Sequence, residues 1–387
     1  MKYFSYLNTS VEITGLYKGQ QPFHLFIKDF FRQHKKYGST DRKQITHLCY
    51  CYYRLGPSML NMPATDKTLA GLFLCTHQPN EILAAIRPAW NEQVSLSLEE
   101  KCALINIPFQ PLSLFPCTDE LSNAIDTNNF ILSHLTQPDI FLRTRPGYHQ
   151  TVTDKLTGAG IVFSQPAPHC TSLPNTTKID GLLQINKEVV IQDYSSQQTG
   201  AFLQLVKYHE QPVKTWDCCA ASGGKSIMAK DVLGSIDLTV SDIRKLVLIN
   251  LKKRFAEAGM PPYKTLMADL SKPVTTLSPA SFQLIIADLP CTGSGTWGRT
   301  PERLSFFDKK EIDSYSLLQK KIVKTVMPYL QKDGYFLYIT CSVFKKENEE
   351  MVAFIQKNFS ADLLKMEVLK GYGIKADTMF AALLKKL

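Results

Sequence analysis

Several signals that would place a chain at once are missing from these 387 residues. No run approaches the ~18 consecutive apolar residues of a membrane span. Met1 to Ser10 holds no apolar block of the kind a signal peptide needs. Cysteine occurs ten times, yet no Cys-x-x-Cys pair suggests zinc, so no metal site is expected. Apart from Cys49-Tyr50-Cys51 and Cys218-Cys219 the thiols are scattered, which is not a disulfide framework. Free thiols without an export signal predict the reducing cytoplasm. Composition is unremarkable at 44% hydrophobic, 20% charged and 10% aromatic. That excludes collagen-like, coiled-coil and wholly disordered chains and leaves a globular chain of two to three domains.

Positive charge is what the sequence has in excess. Forty-four Lys and Arg against 35 acids give +9, and residues 1–60 hold nine of those cations against three acids. A localised basic surplus is the footprint of a nucleic-acid binder, although a solvated basic face looks the same by count.

The first third reads as helices. Phe23, Phe26, Ile27 and Phe30 fall on one stripe of a helix that Lys35, Lys36 and Gly38 bring to an end. Ser39-Thr40-Asp41 caps a second, with Ile45, Leu48, Cys49 and Tyr52 as its core stripe and Gly56-Pro57 as its stop. Leu69 to Ile107 predicts further helices, and Pro108, Pro111 and Pro116 mark a linker. Residues 1–125 are thus expected to form a basic helical domain. Residues 138–200 read as a small α+β module. Asp139 to Arg145, Ile161 to Phe163 and Gly181 to Ile185 are its predicted strands, and Val152 to Ala159 its helix. Arg143 and Arg145 on such a strand would suit an RNA-contacting surface.

From residue 201 the pattern alternates. Strands are predicted at Val213–Ala220, Ile236–Val240, Tyr263–Met267, Phe282–Ala287 and Gly334–Thr340. Helices are predicted at Lys225–Leu233, in a stretch ending near Gly259, and at Lys309–Tyr329. Phe282 to Ala287 is continuously apolar, as a buried parallel strand requires. Leu363–Val368 and Met379–Leu384 predict a closing hairpin. The expectation is an α/β, doubly wound, Rossmann-like sheet with its site at the C-terminal strand ends.

Those strand ends carry the chemistry-bearing residues. Asp217-Cys-Cys-Ala-Ala-Ser-Gly-Gly-Lys225-Ser226 lets a backbone approach a ligand at a helix N-terminus. It is not a phosphate-binding P-loop, because Cys219 stands where that motif needs its first glycine. Gly293-Ser-Gly295-Thr-Trp-Gly298 matches the dinucleotide pattern, but Pro301 follows where a helix should run. Asp242, Asp269 and Asp288 each follow a strand, and an acid after the second strand suits ribose hydroxyls. Without a phosphate loop, a nucleoside-type cofactor such as S-adenosylmethionine fits better than ATP or NAD. Each acid could equally cap a helix or turn. Cys291 and Cys341 also sit at strand ends, where two thiols at one cleft suggest covalent chemistry.

Taken together, these segments resemble the RsmB/Sun (NSUN) family of RNA cytosine-5 methyltransferases. The family's Asp-x-Cys-Ala-Ala-Pro-Gly-Gly-Lys-Thr reads here Asp217 to Ser226. Its Asp-Ala-Pro-Cys-Ser-Gly-x-Gly reads Asp288 to Gly295, followed by Arg299-x-Pro301-Glu302. Its Thr-Cys-Ser and Glu-Asn-Glu blocks are Thr340-Cys341-Ser342 and Glu347-Asn348-Glu349, and Gln192-Asp193 with Ser195 or Ser196 resembles a further element. The resemblance covers about 138–387; residues 1–125 are similar only in being helical and basic, like the NusB-type domain of some members. Departures are Ser222 for Pro, Leu289 for Ala, Gly298 in place of an Arg pair, and Asp377-Thr-Met-Phe380 for Asp-Gly-Phe-Phe.

The resemblance implies a class I methyltransferase-type catalytic domain over 201–387, using S-adenosylmethionine on ribosomal RNA. A tRNA substrate and a non-enzymatic ribosome-assembly factor are the alternatives. It implies Cys341 as the nucleophile, Cys291 as an aid to product release and Asp288 at the ring nitrogen. In DNA cytosine methyltransferases the Pro-Cys cysteine attacks, which would be Cys291; the Thr-Cys-Ser block favours Cys341. Lys225 is a candidate positive neighbour for a thiol that must ionise. Cofactor contacts are expected from Cys219, Ala220, Ala221, Ser222, Gly223, Gly224, Lys225, Asp242, Asp269 and Asp288. RNA contacts are expected from Arg143, Arg145 and Arg299, with RNA as partner, no membrane, and a monomer.

Overall fold

The computed structural model describes residues 2–208 and 211–387, with Leu112 described for its backbone only. The chain divides into two units: residues 1–119, 126–137 and 297–309 in the first, and 120–125, 138–296 and 310–387 in the second. The expected helical domain therefore gives up 120–125 and takes in 126–137 and 297–309.

The first unit is helical, beginning with Lys2–Leu16, Phe23–Gln33, Ser39–Arg54 and Ala64–Cys75. Phe23, Ile27 and Phe30 are buried as their spacing predicts, and Phe31 joins them while Phe26 stays at the edge. In the next helix Tyr53 rather than Tyr52 completes the buried stripe. Phe23 meets Tyr17 and Tyr53 edge-on, with 5.0 Å between ring centroids in each case. Asp41 reaches back to the Gly38 N–H at 2.9 Å, so the capping contact comes from the third residue of the helix. Not all of this unit's positive charge faces solvent. Buried Arg54 donates to the His134 carbonyl at 2.6 Å, and Lys67 donates to that of Gly56 at 3.0 Å. Burial lowers the Lys67 ammonium to about 8.

The second unit holds two sheets. The smaller is antiparallel, in the order β2-β3-β1-β4, from β1 (Ile140–Thr144), β2 (Ser164–Ala167), β3 (Cys170–Leu173) and β4 (Val189–Ile191). Helix His149–Gly158 packs Val152 and Leu156 with Leu142, Leu173 and Val189. The strands expected at 161–163 and 181–185 are corrected here. Ile161, Phe163, Leu183 and Ile185 fill this same core from turns and loops, where apolar content alone imitates a strand.

The larger sheet has seven strands in the order β10-β11-β9-β8-β5-β6-β7. They are β5 (Val213–Asp217), β6 (Ile236–Asp242), β7 (Tyr263–Met267), β8 (Phe282–Asp288), β9 (Leu330–Thr340), β10 (Ala361–Leu369) and β11 (Met379–Lys386). β5 to β9 run parallel, and β10 and β11 form the expected antiparallel hairpin against β9. Helices Gly224–Leu233, Lys245–Glu257 and Lys310–Val326 lie between successive parallel strands in the chain. This is the doubly wound, Rossmann-like sheet that the alternation predicts. Strand order reverses at β5, with β6 on one side and β8 on the other, which opens a crevice at their C-terminal ends. Among the described residues no helix is long and apolar enough to cross a membrane.

Candidate active site

β5 stops at Asp217, three residues before the sequence pattern suggests, and Cys218 to Gly223 form a loop into helix Gly224–Leu233. The loop is tied to β6. Trp216 donates its indole N–H to Ser241 Oγ at 2.9 Å, and that hydroxyl donates to the Cys218 carbonyl at 2.7 Å. Gly223 has φ +81°, and a Cβ there would lie 2.3 Å from the Phe255 ring, so both backbone and space require glycine. No side chain between Ala220 and Gly224 exceeds a serine in size, which leaves the backbone open to a ligand. Ser222, in the family's proline position, accepts from Arg254 at 2.6 Å.

Asp217 points inward instead. Its Oδ2 accepts from Ser226 at 2.6 Å, while Oδ1 is buried with no partner among the described residues. Burial pushes its carboxyl up to about 7, against the pull of the Ser226 hydrogen bond.

The three acids beyond it differ. Asp242, at the end of β6, accepts from the Ala221 N–H (3.2 Å), the Arg244 N–H (2.9 Å), Arg244 Nε (2.9 Å) and Arg244 Nη2 (3.0 Å). These four bonds use the four lone-pair sites of the carboxylate. Burial would raise its pKa, but the Arg244 hydrogen bonds and charge hold it below the usual range. The Arg244 side chain is 61% exposed and so free to exchange with a ligand. Next to it Ile243 is an exposed apolar residue that the sequence reading missed. Asp269 closes a local turn, accepting from the Ser271 hydroxyl at 2.6 Å. Asp288, at the end of β8, accepts from Lys225 Nζ at 2.9 Å. A backbone cradle with carboxylates at β6 and β8 fits a ligand that carries a ribose diol and an amine.

The two cysteines do meet. Asp288 pairs with Ile339 across β8 and β9, and the chain beyond each strand brings Cys291 Sγ to 3.2 Å from Cys341 Sγ. The hydrogen bond with Cys341, then burial, push the Cys291 thiol well above its ordinary value. Gly295 shows why the glycine-rich stretch is there. Its N–H donates to the Cys341 carbonyl at 2.9 Å, and a Cβ would lie 1.8 Å from the Thr378 carbonyl. The match to a dinucleotide fingerprint is thus a close backbone approach.

Sequence reasoning did not find what holds this corner. Glu347 is fully buried and accepts four hydrogen bonds: Thr292 N–H (3.0 Å), Thr292 Oγ1 (2.6 Å), Ser342 Oγ (2.5 Å) and Gln319 Nε2 (3.0 Å). Burial raises its carboxyl despite them. Asn348 accepts from Thr340 Oγ1 at 2.7 Å and donates to the Ser342 carbonyl at 3.0 Å. The Glu-Asn pair in the sequence is the only signal that could have pointed here.

Arg143 and Arg145 need correcting. Both guanidinium groups pair with Asp231, at 2.7 and 2.8 Å, with side chains only 9% and 13% exposed. They are committed inside the second unit, because a buried carboxylate at the end of helix Gly224–Leu233 demands compensation. Arg143 Nε also donates to Gln192 Oε1 at 2.9 Å, and Gln192 Nε2 donates to Ser196 Oγ at 3.0 Å. Ser196 Oγ in turn accepts from Lys225 at 2.7 Å, so one chain of bonds runs from Arg143 to Asp288. Lys225, expected beside a thiol, is bonded to Asp288 and Ser196. Asp193 accepts from the Asp377 N–H at 3.1 Å, and Ser195 donates to the Asp377 carbonyl at 2.5 Å, so that element anchors the altered tail. Arg299 lies half-buried in the first unit, not in the one that holds the thiols.

This geometry agrees with what sequence comparison finds. The family described as 16S rRNA methyltransferase RsmB/F matches residues 203–384. That stretch is similar to an RsmB/F methyltransferase domain. The probable ribosomal RNA small subunit methyltransferase B of Bacillus subtilis (strain 168) is 32% identical over 186 residues, 46% of this chain and 40% of that protein. The chain thus matches about two fifths of the length of such curated relatives. A longer match, to ribosomal RNA small subunit methyltransferase B of Photorhabdus laumondii, is 25% identical and spans 76% of this chain and 74% of that one. The crystal structure of NSun6 from Pyrococcus horikoshii with SFG is similar in fold. Its TM-score is 0.57 at 14% identity, over 70% of this chain and 96% of that one.

Proposed function

We propose that the protein is an S-adenosylmethionine-dependent RNA methyltransferase that makes 5-methylcytosine in ribosomal RNA. The observation that carries this reading is the pair of thiols 3.2 Å apart, in the chain just beyond β8, which ends at Asp288, and β9, which ends at Thr340. A binding protein has no use for two adjoining thiols at a strand-end cleft. The ribosomal substrate rests on the names of the family and its relatives. The cofactor rests on the cradle of Cys219 to Gly224 with Asp242, and on the neighbour solved with SFG, an S-adenosylmethionine analogue. Exposed Ile243 would cover one face of the base, and the Asp242 carboxylate would exchange Arg244 for ribose hydroxyls.

S-adenosylmethionine, when bound, supplies an electrophilic methyl group. Carbon 5 of cytosine is too weak a nucleophile to take it unaided. Cys341 Sγ adds to carbon 6 and makes carbon 5 enamine-like, so one hard step becomes two easier ones. As Cys341 adds, its thiol proton passes to nitrogen 3, and the N–H so formed donates to the Asp288 carboxylate, which Lys225 orients. After methylation the proton on carbon 5 leaves to solvent water, its bonding electrons form the 5,6 double bond, and the Cys341 sulfur departs with the electrons of its bond to carbon 6. Cys291, raised in pKa and so held as a thiol, donates a hydrogen bond to that departing sulfur. The base must leave its stack to reach this site, so a loop or an extruded nucleotide is the substrate.

The test is methyl transfer from labelled S-adenosylmethionine to unmodified ribosomal RNA and tRNA in parallel, followed by nucleoside separation. Labelled 5-methylcytidine in ribosomal RNA is expected. Label in tRNA alone would keep the reaction and change the substrate. No label, with no cofactor-induced rise in melting temperature, would overturn the enzyme reading in favour of an assembly factor.

A further inference from the structure

We propose that Glu347 is the positioning residue for both active-site thiols: one buried carboxylate ties down the residue after each cysteine and so sets their separation. The importance of that separation for turnover rests on the function proposed above; the separation itself does not. On one side, Oε1 accepts the Thr292 N–H and Oε2 its hydroxyl, fixing the turn that carries Cys291. On the other, Oε2 accepts the Ser342 hydroxyl, fixing the turn that carries Cys341. Gln319 Nε2 bonds Oε1 and also the Pro290 carbonyl at 3.0 Å, so the residue before Cys291 is held too. Tyr338, on β9, donates to the Glu347 carbonyl at 2.6 Å and locks its backbone. Glu347, Gln319, Ser342 and Thr292 are all buried, so water does not stand in for a lost partner. Glu347 hydrogen-bonds to neither sulfur; beyond position, its one effect on the pair is the charge it sets near Cys291.

A ruler independent of turnover is available. Diamide closes two adjacent thiols to a disulfide: the S–S bond forms, both S–H bonds are lost, and the N=N bond of the reagent is reduced. The rate of Cys291–Cys341 closure, read by peptide mapping, reports how often the sulfurs meet. Glu347→Ala should slow closure about tenfold or more, since loss of fixed geometry costs on that scale. The Glu347 charge helps to raise the Cys291 pKa, so its removal alone would speed oxidation; slowing therefore reports position. Glu347→Gln can accept at Oε1 and donate to the two hydroxyls, and should stay within about threefold of the parent. In methyl transfer, Glu347→Ala should lower kcat and leave KM for RNA unchanged. Should Glu347→Ala not fold, Thr292→Val and Ser342→Ala each cut one link, and each should slow closure. Closure at the parent rate in folded Glu347→Ala, or in both single-link variants, overturns the proposal. Absent methyl transfer with slowed closure would sink the proposed function and leave this inference standing.

Discussion

At the ends of β5 and β6 the groups offered to a ligand are backbone amides and a carboxylate wrapped by a solvent-exposed arginine. At the ends of β8 and β9 the sulfurs are held by Thr292, Ser342, Glu347 and Asn348, side chains that see almost no solvent. The first region has an exposed partner that a ligand could displace; the second has none among the described side chains that hold the sulfurs. A cofactor that comes and goes needs groups that can swap one hydrogen bond for another at small cost. A nucleophile that must reach one carbon needs its geometry fixed in advance.

The comparison predicts unequal effects. Cys341→Ala should abolish methyl transfer, by roughly 10⁴-fold or more, as for other nucleophile deletions; single-turnover assays with labelled cofactor would show it. Cys291→Ala should slow turnover about 10²-fold, the scale of a lost proton donor, and let an RNA adduct accumulate on denaturing gels. Asp242→Asn should weaken S-adenosylhomocysteine about tenfold or more in calorimetry, as loss of a charged hydrogen-bond partner does. Arg244→Ala should instead tighten it by a few-fold, because an exposed ion pair that competes with the ligand costs little to break.

The smallest effect is on stability. The Asp217 carboxyl sits at about 7 in the folded chain, above its ordinary 3.8. The folded state therefore holds this proton more tightly than the unfolded one. Its contribution is full below about pH 4 and is lost as pH rises through 7. Asp217→Asn removes that dependence, so its melting temperature should gain on the parent between pH 4 and 7. A constant difference across that window would contradict the assignment.

How much of this was legible in sequence depended on reach along the chain. The apolar run Phe282 to Ala287 and the glycines before helix Gly224–Leu233 speak locally, and the seven-stranded sheet follows from such runs. Ile161 to Phe163 and Gly181 to Ile185 mislead because loops can fill a core as well as strands do. Arg143 and Arg145 look like RNA contacts until Asp231, more than 80 residues on, is seen between them. The thiols could be paired from strand alternation, since both end neighbouring strands. Glu347 could not be given its task, because Thr292 and Gln319 lie 55 and 28 residues away.

The most direct test of the account is to trap the attack on the base. Ribosomal RNA containing 5-fluorocytosine, incubated with the protein and S-adenosylmethionine, blocks release because the fluorine cannot leave as a proton does. The account predicts a covalent adduct whose mapped peptide carries the nucleotide on Cys341. An adduct on Cys291, or 5-methylcytidine formed on normal RNA by a Cys341→Ala protein, would contradict it.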